Sequence, residues 1–355
     1  MKNNFGRRLK SARLMRGLSM EQLAAKTQGA LTKQAIGKYE TGLAQPTSDN
    51  AFALAKALDV KVEYFFRPAR SFVSLSEPAY RKRRQLSKKR LDAIHEQVRD
   101  YVERYLEVLS FFPPESKVPT ISSVSKFSVS SLDQVEESAV TLRKNWGLGL
   151  APIDNLTEIV EDQNIFIVQI AGDEAFDGLS CFANDNIPVV VTKRVDQGDR
   201  QRFNIAHELG HLLLEPHDLD EEKAANRFAA ALMVPRAVVE KELSASRRRL
   251  SFAELHALKH KYGMSIAAWI YRAKDLGIIS EFYASQWFRE LKQYNPKIEP
   301  GDPVPVETPH RFERLVFQAC EEQIFSESKA AELLVWPVDR LRRTMRGDLL
   351  HAVGA

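Results

Sequence analysis

The sequence predicts a multidomain protein that is mainly α-helical and carries one small β-sheet. Three features of its 355 residues lead to this prediction. Residues 5–66 place apolar side chains at helical spacing between turn signals. Short runs rich in β-branched and aromatic residues follow one another at residues 165–191. The pattern of a buried helix comes next, at residues 203–213, and most of the remaining chain is again helical.

An all-helical domain of five helices is predicted for residues 1–68. Its second helix begins with Ser19 as the N-cap, and Gln22 completes a capping box. The third helix covers residues 30–40, and the next one opens at Pro46. Short helices separated by turns in this way are typical of a compact helical domain.

The run at residues 34–42 resembles the Cro/C1 (XRE) helix-turn-helix family, and the resemblance extends through the whole predicted domain. In that family the third helix enters the major groove of DNA. The resemblance makes Lys33, Gln34 and Lys38 the predicted readers of base edges, and it assigns Thr32 to a phosphate. A helical module that binds protein is the alternative, because a fold alone does not establish function.

Charge is distributed unevenly along the chain. Residues 1–90 hold 20 Lys and Arg against 6 Asp and Glu, a net charge of +14, which leaves −10 for residues 91–355 of a chain whose net charge is +4. This asymmetry indicates a nucleic-acid-binding part joined to an acidic part. The densest basic run, at residues 81–90, is either a further phosphate contact or a solvated linker.

The predicted buried helix contains the signature H-E-x-x-H at residues 207–211. Side chains four residues apart share one face of a helix, so His207 and His211 can bind a single metal ion. Glu208 follows the first histidine and can act on a metal-bound water. Catalytic zinc usually takes a third protein ligand. The acidic candidates for it begin the next predicted helix: Asp220, Glu221 and Glu222. A surface histidine pair on an ordinary amphipathic helix is the alternative.

Two motifs together resemble the ImmA/IrrE-type metallopeptidases. The first is HELGHLLL at residues 207–214; the second, E-x-x-A-N-x-F-A-x-x-L-x-x-P, matches residues 222–235. The resemblance implies that Glu222 is the third ligand and that Asn226 orients a ligand. It also implies a zinc endopeptidase in which Glu208 is the general base for the zinc-activated water and later protonates the leaving amine. Manganese or iron is an alternative metal for such ligands.

Three short strands are predicted before the metal-binding helix, at residues 165–168, 176–182 and 187–191. A small sheet beside such a helix often offers an edge to which an extended peptide adds as a strand. Gly178, Leu179 and Ser180 are the candidate edge. A plain core strand is the alternative.

The sequence divides into four predicted segments. They are a helix-turn-helix domain (1–68), a basic linker and long helix (69–131), an α+β zincin-like metallopeptidase domain (132–245) and a helical C-terminal region (246–355). The long helix, predicted over residues 91–111, is either a dimerisation or spacer element or ordinary core. We expect the C-terminal helices, one pair of which loosely resembles a second helix-turn-helix, to serve packing or partner binding.

We predict a DNA-binding transcriptional regulator that is also a zinc metalloendopeptidase (EC 3.4.24.-), acting on a repressor, an antitoxin or the chain itself. The resemblance suggests toxin–antitoxin loci or stress responses as settings. Expected partners are a double-stranded DNA operator, a protein substrate and a second copy in a homodimer. Two scattered cysteines and the lack of a signal or membrane segment predict a cytoplasmic protein without a membrane partner. The alternative is a non-catalytic transcription factor or antitoxin that uses the metal-binding fold as a sensor or partner platform.

Overall fold

The computed structural model describes residues 4–67, 73–76, 87–112, 126–171, 176–195, 197–293 and 299–347. It is 60% helical, with sixteen α-helices and small sheets among these residues, which confirms the predicted fold class. Among the described residues, no helix combines the length and apolar character that a membrane span requires. The basic run at residues 81–90 lies mostly outside the described residues.

The N-terminal domain consists of four α-helices and a short 3-10 helix. Their bounds are α1 (Asn4–Met15), α2 (Met20–Lys26), α3 (Lys33–Thr41), α4 (Ser48–Leu58) and the 3-10 helix Val62–Phe66. The capping box of Ser19 and Gln22 is present as predicted. Helix α3 begins three residues later than expected, because the Thr32 hydroxyl accepts the Ala35 N–H and makes residue 32 the N-cap.

Helix α5 (Lys88–Leu109) connects the N-terminal domain to the rest of the molecule. On one side it packs on α1, where Arg8 Nη1 donates to Glu103 Oε2 at 2.5 Å. On the other side the ring of Tyr105 stacks on Phe166 with centroids 4.2 Å apart. The sequence left open whether this helix is a dimerisation or spacer element or part of an ordinary core. Its apolar stripe is buried within the chain, which supports a place in the core.

A three-stranded sheet forms the centre of the following region. Its elements are β1 (Phe127–Val129), α6 (Leu132–Asn145), α7 (Leu156–Asp162), β2 (Phe166–Ile170), β3 (Gly178–Ala183), β4 (Ile187–Lys193), α8 (Gly198–Leu213), β5 (Leu214–Pro216) and α9 (Glu221–Met233). The strand order is β2-β4-β3, with β2 parallel and β3 antiparallel to β4. A separate pair joins β1 to β5 in parallel. Strand β1 falls in the segment predicted to be a linker, because three residues paired with a distant strand give no periodic signal.

Alternate residues of the sheet face two different cores, as expected for a strand period of two. Ile167 and Val190 pack into the core that contains α8 and α9. Phe166 and Val191 pack into a second core shared with α5. The sheet is therefore covered on both faces, and both faces are apolar.

The C-terminal helices complete these two cores. They are α10 (Arg236–Leu243), α11 (Phe252–Tyr262), α12 (Ile266–Asp275), α13 (Glu281–Leu291), α14 (Arg311–Glu321), α15 (Glu327–Leu334) and α16 (Val338–Met345). Tyr262 and Trp269 lie in the core of α8 and α9, so that core continues beyond the domain boundary predicted at residue 245. Phe312 and Leu341 join the core of α5. These helices do serve packing, as the sequence analysis expected.

Candidate functional site

The site begins with the close crossing of helices α8 and α9. A Cβ atom placed on Gly210 would come 3.0 Å from the Cα of Ala225, so the two helices approach to a distance that only glycine permits here. The N-terminus of α8 is fixed as well, because the Gly198 N–H donates to the Val304 carbonyl at 2.8 Å. These contacts bring the first turn of α9 next to the histidines of α8.

Three side chains meet at this crossing. His207 Nε2 lies 3.1 Å from His211 Nε2 and 3.5 Å from Glu222 Oε2. His211 Nε2 lies 3.3 Å from Glu222 Oε1. One ligand atom from each residue falls within 4.8 Å of the others, a group that could hold a metal ion. The structure thus brings together the three residues predicted as ligands.

The separations fit a small divalent ion. Nitrogen and oxygen ligands about 2.0–2.2 Å from a tetrahedral zinc ion lie about 3.3 Å from one another. The three measured separations of 3.1, 3.3 and 3.5 Å bracket that value. Two imidazoles and one carboxylate also leave a coordination position for water, as in catalytic sites.

Asn226, one turn after Glu222, fixes the orientation of one histidine. Nδ1–H of His207 donates to the Asn226 side-chain oxygen at 3.0 Å. With the proton on Nδ1, the Nε2 lone pair faces the other two ligand atoms. Asn226 therefore lies where the sequence analysis expected a ligand-orienting residue.

Glu208 is buried beside the ligands and faces strand β3. The Ser180 hydroxyl donates to Glu208 Oε2 at 3.1 Å, and a Cβ on Gly178 would come 2.9 Å from Glu208 Oε1. Burial, together with the nearby charge of Glu208, raises the pKa of the Cys181 thiol to about 12. The contact between Ser180 and Glu208 could not be predicted from the sequence, because it depends on how the sheet packs against α8.

The other acidic candidates have different positions. Asp220 is the N-cap of α9, where its Oδ1 accepts the Lys223 N–H at 2.9 Å. Glu221 is exposed. Of the three carboxylates that the sequence offered, Glu222 is the one whose oxygens meet the imidazoles.

A cavity of about 290 Å³ lies beside the histidines. It is lined by Lys126, Gly210, His211, Leu214, Glu215, Pro216 and Glu221. Its volume is close to that of small ligand pockets, and its walls are partly charged. Lys126 was missed by sequence reasoning, since it precedes a strand of only three residues.

Strand β3, which holds the candidate edge residues Gly178, Leu179 and Ser180, is one of the two outer strands of the three-stranded sheet. A short segment, residues 73–76, pairs with the far end of this strand. The Ser76 N–H donates to the Phe182 carbonyl at 2.8 Å, and the Phe182 N–H donates to Ser76 Oγ at 2.9 Å. We call residues 73–76 the strap.

The predicted DNA contacts lie on α3. Thr32, Lys33, Gln34 and Lys38 are all exposed. Lys33 forms an ion pair with Glu21, and both side chains are more than half exposed. Exposed pairs of this kind contribute little free energy, so Lys33 can exchange this partner for another anion.

Two segments of the chain match known family models. Residues 9–65 match the model of a helix-turn-helix domain, and residues 160–274 match that of the IrrE N-terminal-like domain. These matches confirm the fusion that the motifs predicted. Searches of curated proteins and of solved structures found no match.

Proposed function

We propose that this chain, a helix-turn-helix domain fused to an IrrE N-terminal-like domain, is a DNA-binding regulator whose second part is a zinc endopeptidase with a specific protein substrate. The observation that carries the proposal is the convergence of His207, His211 and Glu222 beside the buried carboxylate of Glu208. A general base next to a three-ligand site is the arrangement that hydrolysis of a peptide bond needs. The substrate is a repressor, an antitoxin or the chain itself.

Each residue of the site would have a distinct role in peptide hydrolysis. His207, His211 and Glu222 would hold zinc, which when bound polarises water and the scissile carbonyl; manganese and iron suit the same ligands. Glu208 would accept the proton of the attacking water and pass it to the leaving amine. Ser180 would keep the Glu208 carboxylate in place through its hydrogen bond of 3.1 Å.

The substrate would bind as an extended peptide along β3. Gly178 and Ser180 belong to the same outer strand that faces Glu208. Main-chain pairing with such a strand holds a peptide without demanding a particular sequence, while adjoining pockets provide the selectivity. The cavity lined by Lys126 and Glu221 would supply one such pocket.

The N-terminal domain would bind double-stranded DNA through α3. Lys33, Gln34 and Lys38 are exposed on this helix, and residues 1–90 carry a net charge of +14. Gln suits adenine and Lys suits guanine in the major groove. Operator half-sites related by symmetry would require a homodimer. Toxin–antitoxin loci and stress responses are the settings that this combination suggests.

Comparing protein N-termini in cells that carry the wild-type chain with those that carry Glu208→Gln tests the peptidase. New N-termini from one protein, or very few, are expected with the wild type only, and purified wild-type chain should reproduce the same cleavage. The isosteric variant retains the three ligands, so it separates loss of the base from loss of the metal. Identical sets of N-termini in both cells would contradict the proposal and favour a non-catalytic regulator.

A further inference from the structure

The outer edge of β3 has two sections with different surroundings. The first, residues 178–180, lies against Glu208. The second, residues 182–184, is paired with the strap, which belongs to the stretch of chain between the N-terminal domain and α5. The strap therefore occupies the same strand edge along which the proposed substrate would lie.

The strap is held as an antiparallel strand. Leu75 is paired with Ala183 in antiparallel orientation, and the Asn184 N–H donates to the Ser74 carbonyl at 3.0 Å. The Ser74 N–H in turn donates to Asn184 Oδ1 at 3.0 Å. Together with the two bonds between Ser76 and Phe182, these contacts satisfy both main-chain groups of Phe182 and the N–H of Asn184.

The pairing of β3 with β4 shows which main-chain groups point outward. The Lys193 N–H donates to the Asp177 carbonyl, so the odd-numbered residues of β3 bond to β4 and the even-numbered ones face outward. Phe182 follows this rule, since both its main-chain groups reach Ser76. The main-chain groups of Gly178 and Ser180 face the same way. A peptide bound to them would lie in line with the strap.

The direction of the strap sets the direction of its neighbour. An antiparallel peptide on β3 runs from residue 184 towards residue 178, as the strap does, so its N-terminal flank approaches Ser76. Phe182 lies two residues from Ser180, about 7 Å along a strand. At most about one peptide residue therefore fits between the position opposite Ser180 and Ser76.

We infer that the strap is a specificity determinant: it restricts the site to peptides with a short N-terminal flank, and a longer flank must displace it. This inference rests on the proposed peptidase function and specifies its substrate. Displacement has a cost, because Val73 is fully buried and its carbonyl accepts from Arg99 Nε at 3.0 Å. A peptide with a long N-terminal flank would thus displace a segment that lies between the N-terminal domain and α5 in the chain.

Three substitutions, two at Ser76 and one at Asn184, should weaken the pairing of the strap with β3. Ser76→Ala removes the oxygen that accepts from Phe182, whereas Ser76→Pro also removes the N–H that donates to Phe182. Asn184→Gly acts from the sheet side, since it removes the acceptor of Ser74 and suits the φ of 48° at that position. Thermal melting of each full-length variant shows that it is folded.

Two measurements then test the inference without peptidase activity. Hydrogen exchange at the Phe182 amide should accelerate severalfold in Ser76→Ala and at least about tenfold in Ser76→Pro. A fluorescent peptide with the sequence of residues 71–78 should bind Ser76→Pro and Asn184→Gly at least about tenfold more tightly than wild type, because their edge is released. The Glu208→Gln change in all proteins keeps the probe intact.

The outcomes of the exchange, peptide-binding and N-terminus experiments lead to different conclusions. Equal exchange in all variants, or equal peptide binding by wild type and Ser76→Pro, would overturn the inference. Release of the edge without any protein cleavage in the N-terminus experiment would support the strand pairing and overturn its link to substrate choice. Cleavage in that experiment, combined with unchanged hydrogen exchange and peptide binding at β3, would support the peptidase and show that the strap does not determine its specificity.

Discussion

The carboxylate of Glu208 contacts two residues of the neighbouring strand β3. Ser180 donates to one of its oxygens, and the missing side chain of Gly178 leaves room for the other. Both residues belong to β3, the proposed substrate strand. A peptide bound at this edge would therefore lie against the residues that hold the general base.

Gly178→Ala should impair hydrolysis without affecting metal binding. The added Cβ would lie 2.9 Å from Glu208 Oε1 and 3.1 Å from the Val191 carbonyl oxygen, so the carboxylate must move. We expect kcat on the identified substrate to fall at least about tenfold, as for misplacement of a general base. Bound metal, measured by mass spectrometry, should stay at the wild-type level. Wild-type kcat in this variant would show that Glu208 does not act from this position.

The sequence predicts part of this site directly and part of it only by resemblance. The spacing of His207 and His211 specifies a shared helix face. Three neighbouring carboxylates were equivalent by spacing, and only the resemblance selected Glu222. The role of Ser180 depends on the packing of β3 against α8, which no local pattern reports.

Helix α5 joins the N-terminal domain to the sheet through a buried group of charges. Asp100 accepts from Arg67 at 2.6 Å and from Arg104 at 3.0 Å. Burial by itself would raise the pKa of Asp100, but Arg104 and Arg67 outweigh it, and the pKa lies below its ordinary value. Asp100 is therefore the nearest counter-charge of both guanidinium groups, and Arg67 has Glu103 Oε2 as a more distant second one at 3.8 Å.

Asp100→Asn should destabilise the full chain by about 3–5 kcal/mol, because it removes the nearest negative charge from two buried guanidinium groups and leaves Arg67 with only Glu103 Oε2 at 3.8 Å. Urea denaturation of the full chain measures this loss. Asp133→Asn is the control, since its partner Arg236 lies 3.8 Å away and the Asp133 side chain is 77% exposed. The control should change stability by no more than about 0.5 kcal/mol. Equal effects of the two variants would contradict the importance of this interface.

The lowered pKa of Asp100 also predicts how the free energy of unfolding changes at low pH. Since the folded pKa of Asp100 is depressed, its contribution is complete above the unfolded pKa of about 3.9 and is lost as the pH falls through the lower folded pKa. Wild type should thus lose more stability than Asp100→Asn below about pH 4. A constant difference between the two proteins down to pH 2 would oppose this account.

Elements with many local contacts could be predicted, and those built by distant pairing could not. The apolar stripe of α5 indicated a helix within a few residues of its true bounds, since a helix is periodic along the chain. Strand β1 is three residues long and pairs with β5, far along the sequence. The strap pairs with β3 in the same non-local way.

In the whole molecule, helix α3 is linked to the group of His207, His211 and Glu222 by continuous packing. Helix α3 contacts α1, α1 contacts α5, α5 contacts β2, β2 pairs with β4, and β4 contacts α8. This chain of contacts crosses both faces of the sheet. Cleavage and DNA binding could influence one another along it, as the proposed regulator requires.

DNA binding should depend steeply on salt and should use α3. A duplex of mixed sequence has no operator for Lys38 to read, so its charge would serve the phosphates, and we expect Lys38→Ala to reduce the slope of log affinity against log salt by about 1. Lys144→Ala is the control, because Lys144 is an exposed lysine on α6, outside the N-terminal domain. Fluorescence anisotropy at salt concentrations between about 50 and 200 mM measures the slope for each variant. The same reduction in both variants would argue against α3 as the contact.

The metal content of the purified full chain shows whether His207, His211 and Glu222 form a metal site. We expect about one zinc ion per chain in the wild type. That ion should be lost from Glu222→Ala and retained in Glu221→Ala, because the neighbouring Glu221 is exposed and outside the group of three ligand atoms. If the wild type held no metal after zinc was supplied, or if both variants retained it equally, these three residues would not be the ligands of a zinc ion.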